Sequence, residues 1–323
     1  MSQKEEPAQM PYKRVSQKFT AAVNEVVLGT GDAAVKFGGE SVYPLYTFDG
    51  PIENRPKIGV EISDSGYDRT LPGLNEYYGG SEDMAEIARR AAAMPGGDFV
   101  VVNLEGADPT GENKSVEECV ALVKTVCEAI DKPLAVEGCK NYEKDTQLFE
   151  TLADALQGKN VLFLSAHEEN YKTIAASAVM AYGQKIGAES AVDINLAKQL
   201  NVLIGQMGIQ AESTVMNVGA AAAGYGFEYV VSTMDRVRSA ALAQNDKTLQ
   251  MPIVTPVASE AWGVKEAVVS EDEAPAGWGP REERGIHMEI STAVACLAAG
   301  SNAVVLRHPQ SVKTVAEFIG EMM

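Results

Sequence analysis

Polar side chains follow the short apolar runs of this sequence, and these positions are where the chain could do chemistry. Carboxamide, carboxylate and imidazole groups at such positions suit a ligand that carries many amide or phosphate groups. The same residues would also solvate strand ends or cap helices, and Asp193 and Asn195 hold the position of N-caps. The residues concerned are Asp64, Asn103, Glu105, Glu137, His167, Asp193, Asn195, Asn217, Arg307 and His308.

The four cysteines and three histidines predict neither a metal site nor a nucleophile. Zinc and iron–sulfur sites need clustered thiolates, whereas Cys119 and Cys127 fall on one helical apolar stripe and Cys139 and Cys296 stand alone. No histidine has the spacing of a zinc motif, and the Asp-x-His-x-x-Gly pattern of cobalt-ligating corrinoid proteins is absent. A Gly-x-Ser-x-Gly elbow is missing too. We therefore predict no metal ligands and no catalytic residues.

The elements that must position these residues are eight short apolar runs separated by amphipathic helices. Such runs are typical of parallel strands buried on both faces, and one helix begins with a capping box formed by Ser115 and Glu118. The alternation predicts a (β/α)8 TIM barrel over residues 58–323. An open doubly wound sheet would carry a glycine-rich loop after its first strand, and residues 64–67 are not one. The predicted strands are Ile58–Ile62, Phe99–Asn103, Leu134–Glu137, Val161–Ser165, Ala191–Ile194, Thr214–Asn217, Ile253–Val257 and Ala303–Leu306.

Residues 1–57 are predicted to form an N-terminal extension to the barrel. A helix is expected over Gln17–Val27, followed by a β-hairpin in which Ala34–Phe37 turns at two glycines into Ser41–Thr47. We expect this extension to plug the bottom of the barrel.

A second addition to the barrel is the segment Ala258–Gly285, which is rich in glycine, proline and acidic residues. It contains both tryptophans of the chain, Trp262 and Trp278. Tryptophan is a preferred anchor of protein interfaces and a stacking surface for flat cofactors. We expect at least one of the two to contact a partner or cofactor, the alternative being that they pack this loop onto the barrel.

The charge of the chain excludes several classes of partner. Its 27 basic and 45 acidic residues leave a net charge of −18, which repels nucleic-acid backbones and anionic membranes. No run approaches the roughly 20 apolar residues of a membrane helix, and residues 1–12 do not resemble a signal peptide. Four unpaired cysteines fit a reducing compartment, so we expect a cytoplasmic protein.

Two runs near the N-terminus carry a family resemblance. Phe37 to Tyr46 reads Phe-Gly-Gly-Glu-Ser-Val-Tyr-Pro-Leu-Tyr, and Asn54 to Asp64 reads Asn-Arg-Pro-Lys-Ile-Gly-Val-Glu-Ile-Ser-Asp. Together they resemble the small subunit of the corrinoid/iron–sulfur protein, whose archaeal relative is the delta subunit of acetyl-CoA decarbonylase/synthase. The likeness extends over essentially the whole chain, including Val161 to Ala166 and the tryptophan-bearing segment.

The resemblance implies a methyl-carrying heterodimer of the anaerobic acetyl-CoA (Wood–Ljungdahl) pathway of carbon fixation. Its large subunit would hold a [4Fe–4S] cluster and a corrinoid (cobalamin-type) cofactor. The cobalt would accept a methyl group from the methyltetrahydrofolate methyltransferase and pass it to acetyl-CoA synthase/CO dehydrogenase. The present chain would share the corrinoid and contact it, or the domain that holds it, through the top of the barrel. The candidate contacts are Asn103, His167, Asn217, Trp262 and Trp278.

Two other functions stay open at this point. One is a stand-alone pterin-dependent methyltransferase of the TIM-barrel type, in which Asn103, Asp193 and Asn217 would hold the pterin. The other is a structural partner that contacts no cofactor. Pterin binding by the isolated chain would favour the first, and an unchanged corrinoid spectrum after mutation of the top residues would favour the second.

Overall fold

A computed structural model describes residues 15–221 and 223–323 of the chain. Eight parallel strands, β3–β10, run in the order β8-β7-β6-β5-β4-β3-β10-β9, and a parallel bridge between Met216 and Ile253 joins the two ends. The sheet is therefore closed, and the predicted TIM barrel is confirmed. The barrel strands are Lys57–Ser63 (β3), Phe99–Asn103 (β4), Leu134–Glu137 (β5), Leu162–Ala166 (β6), Lys185–Glu189 (β7), Thr214–Asn217 (β8), Val254–Pro256 (β9) and Ala303–Leu306 (β10).

Helices surround the barrel and begin where the sequence provides caps. Ser115 and Glu118 form the predicted capping box at the start of α3, and the Asp193 carboxylate accepts from two amides at the start of α6. These side chains satisfy amides that have no partner within the helix. The helices are Pro72–Tyr78 (α1), Met84–Ala93 (α2), Val116–Ala129 (α3), Tyr142–Ala155 (α4), Tyr171–Ile174 (α5), Ile194–Gln206 (α6), Glu228–Leu242 (α7), Val257–Ala261 (α8), Lys265–Val268 (α9), Arg281–Ala299 (α10) and Pro309–Met322 (α11). In the described ranges, none combines the length and apolarity that crossing a membrane requires.

One predicted strand is wrong. Residues 191–194 were expected to form the fifth barrel strand, whereas β7 is Lys185–Glu189. Ala191 and Val192 adopt positive φ angles of 44° and 64° in a turn, and Asp193 then caps α6. The lysine and glutamate at the ends of β7 and its central glycine hide the apolar pattern that marks the other strands.

The predicted helix over Gln17–Val27 is also wrong. Residues 15–25 form no helix, and Val26–Leu28 is a strand, β1. The amides of Val23 and Asn24 donate to Glu40 and Gln250 instead of to the preceding turn. From Phe19 to Val23 burial alternates with a period of two, as in a strand.

The predicted hairpin has a different partner strand. Val35–Phe37 (β2) pairs antiparallel with β1 and not with residues 41–47, which form turns. The resulting ribbon lies against the amino-terminal end of the barrel, where Phe37 packs edge-on against Phe99 with ring centroids 5.7 Å apart. The Asn160 carboxamide ties the ribbon down by donating to the carbonyls of Val27 and Gly29 at 2.9 and 2.8 Å. The expected plug at the bottom of the barrel is therefore present, but it is built from this ribbon.

Side chains that point into the barrel form apolar layers towards the amino-terminal ends of the strands and a polar layer at their carboxyl ends. Parallel strands alternate their side chains between the interior and the helix layer. The lower interior is filled by residues such as Phe99, Val101, Leu162, Leu164 and Val305. Two residues beyond Val101 and Val305 the inward positions are polar, occupied by Asn103 and Arg307. The barrel is therefore packed except at its carboxyl end, which we call the mouth.

Candidate functional site

The inward positions at the mouth are occupied by polar and charged residues from six strands. Strand pairing sets Asn103 beside Glu137 and Glu189 beside Asn217. Of the strand-end residues singled out from the sequence, Asn103, Glu137 and Asn217 lie in this layer. The upper layer comprises Glu61, Asn103, Glu137, Glu189, Asn217 and Arg307.

Asn217 is the centre of a hydrogen-bonded cluster on one side of the mouth. Its amide nitrogen donates to the hydroxyl of Ser165 at 2.8 Å and to a carboxylate oxygen of Glu189 at 3.1 Å. Its carbonyl oxygen accepts from the backbone amide of Gly219 at 2.9 Å. Because all its polar atoms are engaged, Asn217 holds its neighbours in place. One of these, Glu189, lies 3.6 Å from Nε2 of His167.

His167 and Tyr142 form a partly exposed aromatic surface beside this cluster. Their rings lie 4.6 Å apart and are tilted by 39°, and Tyr142 is 40% exposed. The position of His167 is fixed because its backbone amide donates to the side chain of Asn170 at 2.8 Å. An exposed pair of rings on a fixed turn can pack against a flat ligand.

Asn103 has an unused carboxamide at the mouth. The residue is only 4% exposed, yet its side chain has no hydrogen-bond partner in the described part of the chain. A buried carboxamide without partners is costly unless water or a ligand satisfies it. Asn103 is therefore available to bond a polar group that enters the mouth.

Two carboxyl groups at the mouth, those of Glu61 and Glu137, differ in their hydrogen-bond partners. Glu61 accepts from Nε of Arg307 at 2.9 Å, so its charge is compensated. Among the described residues, Glu137 accepts only from the Ser259 hydroxyl, at 3.2 Å. Burial, followed by the nearby charge of Glu61, raises the pKa of Glu137 well above its ordinary value. This environment favours the neutral acid at Glu137.

The two tryptophans lie in different environments. Trp262 is 7% exposed; it packs face to face on His308, with ring centroids 5.9 Å apart, and against Gly285 of α10. Trp278 is half-buried at a turn in which its amide donates to Pro275. The segment Ala258–Gly285 was expected to be one loop, but it contains α9, the end of α8 and the start of α10. Trp262 thus belongs to the core beneath the mouth.

The cysteines are neutral thiols, and His308 is a helix cap. Burial raises the pKa of Cys119 to about 11 and those of Cys139 and Cys296 to about 12, while Cys127 is half-buried. His308 Nδ1 accepts from the amide of Gln310 at the start of α11. No group of three histidine, cysteine or acidic side chains in residues 15–221 and 223–323 could hold a metal ion.

Sequence reasoning missed three residues of this site: Glu61, Glu189 and Tyr142. Glu61 had a readable signal, because a single carboxylate interrupts the apolar strand Lys57–Ser63. Glu189 was missed because its strand was misplaced. Tyr142 opens helix α4, and only the tertiary structure brings it over His167.

Comparison with known proteins identifies the family. The model of the CO dehydrogenase/acetyl-CoA synthase delta subunit family matches residues 25–309. The acetyl-CoA decarbonylase/synthase delta subunit of Archaeoglobus fulgidus is 32% identical over 95% of this chain and 69% of its own length. The Methanocaldococcus jannaschii delta subunit is 30% identical over 93% of this chain and 74% of its own length.

Solved structures with the same fold are pterin-binding barrels of low sequence identity. Dihydropteroate synthase from Xanthomonas albilineans, with 4-aminobenzoic acid, superposes with a TM-score of 0.57 at 11% identity, covering 92% of this chain and 98% of that one. The Burkholderia cenocepacia enzyme with 7,8-dihydropteroate gives 0.56 at 12% identity, covering 94% and 97%. At such identity these matches show the fold alone. On the evidence of the family model and the delta subunits, the chain belongs to the CO dehydrogenase/acetyl-CoA synthase delta subunit family.

Proposed function

We propose that this chain is the small subunit of the corrinoid/iron–sulfur methyl carrier of the acetyl-CoA pathway. It pairs with a large subunit that holds the [4Fe–4S] cluster and the corrinoid. The pair carries a methyl group from the methyltetrahydrofolate methyltransferase to acetyl-CoA synthase/CO dehydrogenase. The observation that carries this proposal is the family match, because it spans residues 25–309 and so includes every strand that builds the mouth.

The mouth has the chemistry needed to cover a corrinoid. A corrinoid is a flat macrocycle with carboxamide side chains at its rim, and when bound it supplies the cobalt that takes up the methyl group. The rings of His167 and Tyr142 offer an apolar surface for the flat part, and the unpartnered carboxamide of Asn103 can bond an amide of the rim. These groups bind and shield; none of them takes part in bond making.

The remaining candidate residues act through their neighbours. Asn217 positions Ser165 and Glu189 beside His167. Trp262 supports the rim of the mouth through its packing on His308 and α10. Trp278 is the more exposed of the two tryptophans and is the one we assign to contact with the partner or its corrinoid domain.

The proposal is tested by reconstitution with the large subunit. Co-expression is expected to give a 1:1 complex that accepts methyl groups from methyltetrahydrofolate in the presence of the methyltransferase. A stable chain that fails to bind the large subunit would contradict the proposal. Tight binding of methyltetrahydrofolate by the isolated chain would favour the stand-alone methyltransferase instead.

A matched pair of tyrosine variants locates the contact surface. Tyr142, at the mouth, and Tyr46, in the N-terminal extension, are 40% and 44% exposed. Tyr142→Ala is expected to weaken shielding of the corrinoid about tenfold or more, since aromatic anchors contribute roughly 1–3 kcal/mol. Tyr46→Ala is expected to leave shielding unchanged. The readout is the rate at which an external thiol or oxidant reaches the cobalt, and equal rates for the two variants would place the contact elsewhere.

A further inference from the structure

A second feature of the mouth is a cavity of about 240 Å³ on the side where β3 meets β10. It lies away from His167 and Asn217 and is reached from the loop that follows β3. Its walls include Glu61, Ser63, Tyr67, Tyr78, Glu105 and Arg307. The polar contacts described for the corrinoid surface do not use these residues.

The polar atoms at the buried end of this cavity are incompletely bonded. Glu61 is 1% exposed and accepts from Arg307 through Oε1, while its Oε2 has no partner among residues 15–221 and 223–323. The hydroxyl of Tyr78, also 1% exposed, has none either. In the described part of the chain, Nη1 of Arg307 donates to no acceptor. A buried polar atom left without a partner costs about 1–3 kcal/mol, so Glu61 Oε2 and the Tyr78 hydroxyl, both buried, point to an occupant. Nη1 of Arg307, whose side chain is 20% exposed, is a free donor beside them.

The pairing of Glu61 with Arg307 restricts the charge of that occupant. A cation would be attracted by Glu61 but repelled by Arg307, and an anion would meet the reverse. Two other carboxylates line the cavity: Asp68 is paired with Arg281, and Glu105 accepts from the Ser63 hydroxyl at 2.7 Å. A neutral group that presents an N–H and a C=O side by side satisfies both, because the N–H donates to Glu61 Oε2 and the C=O accepts from Arg307. The rings of Tyr67 and Tyr78, stacked with centroids 4.8 Å apart and tilted by 27°, provide a flat apolar wall next to these atoms.

We propose that this cavity is a binding site for a neutral carboxamide group. Two sources of that group are compatible with the cavity: a free small amide, or a carboxamide side chain of a corrinoid. Only the second source rests on the proposed function. In both cases Glu61 and Tyr78 are binding residues, and Arg307 is the donor to the amide oxygen.

Three compounds of nearly the same shape test the selectivity of the cavity. Benzamide is neutral, benzamidine is a cation at neutral pH, and benzoate is an anion. Calorimetric titration of the full chain is expected to rank benzamide above both charged analogues. Tighter binding of benzamidine would make the cavity a cation site and overturn the proposal, as would failure of benzamide to bind in the millimolar range.

Two variants test the residues, and a third variant outside the cavity is the control. Glu61→Gln keeps the shape but replaces the free acceptor with an amide group, and benzamide affinity is expected to fall about tenfold or more, the usual effect of losing a hydrogen bond to a charged group. Tyr78→Phe removes a hydroxyl that bonds to nothing in the fold, so it should fold normally and weaken benzamide binding about three- to tenfold. Glu260→Gln, which affects an ion pair with Lys140 outside the cavity, is the control. Equal affinities for all three variants and the parent would overturn the proposal.

A competition experiment separates the two sources. If dicyanocobinamide displaces benzamide from the parent chain but not from Glu61→Gln, a corrinoid side chain occupies the cavity. If benzamide binds with the expected dependence on Glu61 and dicyanocobinamide does not compete, the site takes a free amide. Neither result depends on complex formation with the large subunit, so a failure of the proposed function would be recognised separately.

Discussion

The contact between Trp262 and Gly285 supports the rim of the mouth, and it can be tested by a double-mutant cycle. A Cβ added at Gly285 would lie 2.2 Å from Cζ3 of Trp262 and within 2.6 Å of two further ring atoms. The indole is only 7% exposed and lies against the His308 ring, so it has no free space to move into. Gly285→Ala therefore forces a backbone shift of α10 or a displacement of the tryptophan.

The magnitudes follow from these distances. Overpacking of this kind costs about 1–3 kcal/mol, and Trp262→Ala alone costs about 3–5 kcal/mol because a large buried side chain is removed. In the Trp262→Ala background the clash is gone. Gly285→Ala is then expected to stabilise by about 0.5–1 kcal/mol, because alanine is the better residue within a helix. The predicted coupling between the two positions is about 2–4 kcal/mol.

The assay is equilibrium unfolding in urea of the parent chain, both single variants and the double variant. Gly320→Ala in α11 is the control, since a Cβ there meets no atom within 4 Å and the substitution should be neutral or slightly stabilising. If Gly285→Ala changes the free energy of unfolding equally with and without Trp262, the two residues do not contact each other as described. In that event Trp262 is not part of the core beneath the mouth.

Three further predictions concern stability. Burial raises the pKa of Glu137 in the folded state, so stability present below an unfolded pKa of about 4.3 is lost as the pH rises towards the raised folded pKa. Glu137→Gln should therefore gain stability relative to the parent between pH 4 and 7, and a pH-independent difference in urea unfolding would contradict this. Ser115→Ala removes a capping box and should lower the free energy of unfolding by about 1 kcal/mol, as seen in urea unfolding. Cys119→Ala should cost about 1 kcal/mol and the half-buried Cys127→Ala less, with methyl transfer by the reconstituted complex unchanged in both.

The barrel could be predicted from the sequence because its strands are buried on both faces. Four predicted strands, including Phe99–Asn103 and Ala303–Leu306, have the observed bounds. β7 was missed because polar residues stand at both of its ends. The prediction of a helix over residues 17–27 was wrong because the backbone there forms hydrogen bonds with segments distant in sequence. A local sequence pattern does not reveal such bonds.

Part of the site was predictable for a similar reason. Strand ends of a parallel barrel meet at one face, so the position of Asn103, His167 and Asn217 at the mouth could be predicted from the sequence. Their contact with a ligand stays a prediction. The sequence could not predict that the side chain of Asn217 is fully hydrogen-bonded whereas that of Asn103 is free to bind. This difference depends on partners, such as Ser165, that only the tertiary structure brings close. The burial of Trp262 was not predictable either, because the indole packs against Gly285, which is 23 positions away in sequence.

The ribbon at the bottom of the barrel has a consequence for how the subunit can be used. In the described part of the chain, Phe37 packs against Phe99 and Asn160 fastens the ribbon across the lower end, so the barrel is open at the mouth. A protein bound at the mouth would therefore prevent any other partner from binding there. Two proteins that both need this surface would bind in a mutually exclusive way. If partners dock at the mouth as proposed, the rate at which one of them dissociates limits how soon the next can bind, because the ribbon covers the opposite end of the barrel.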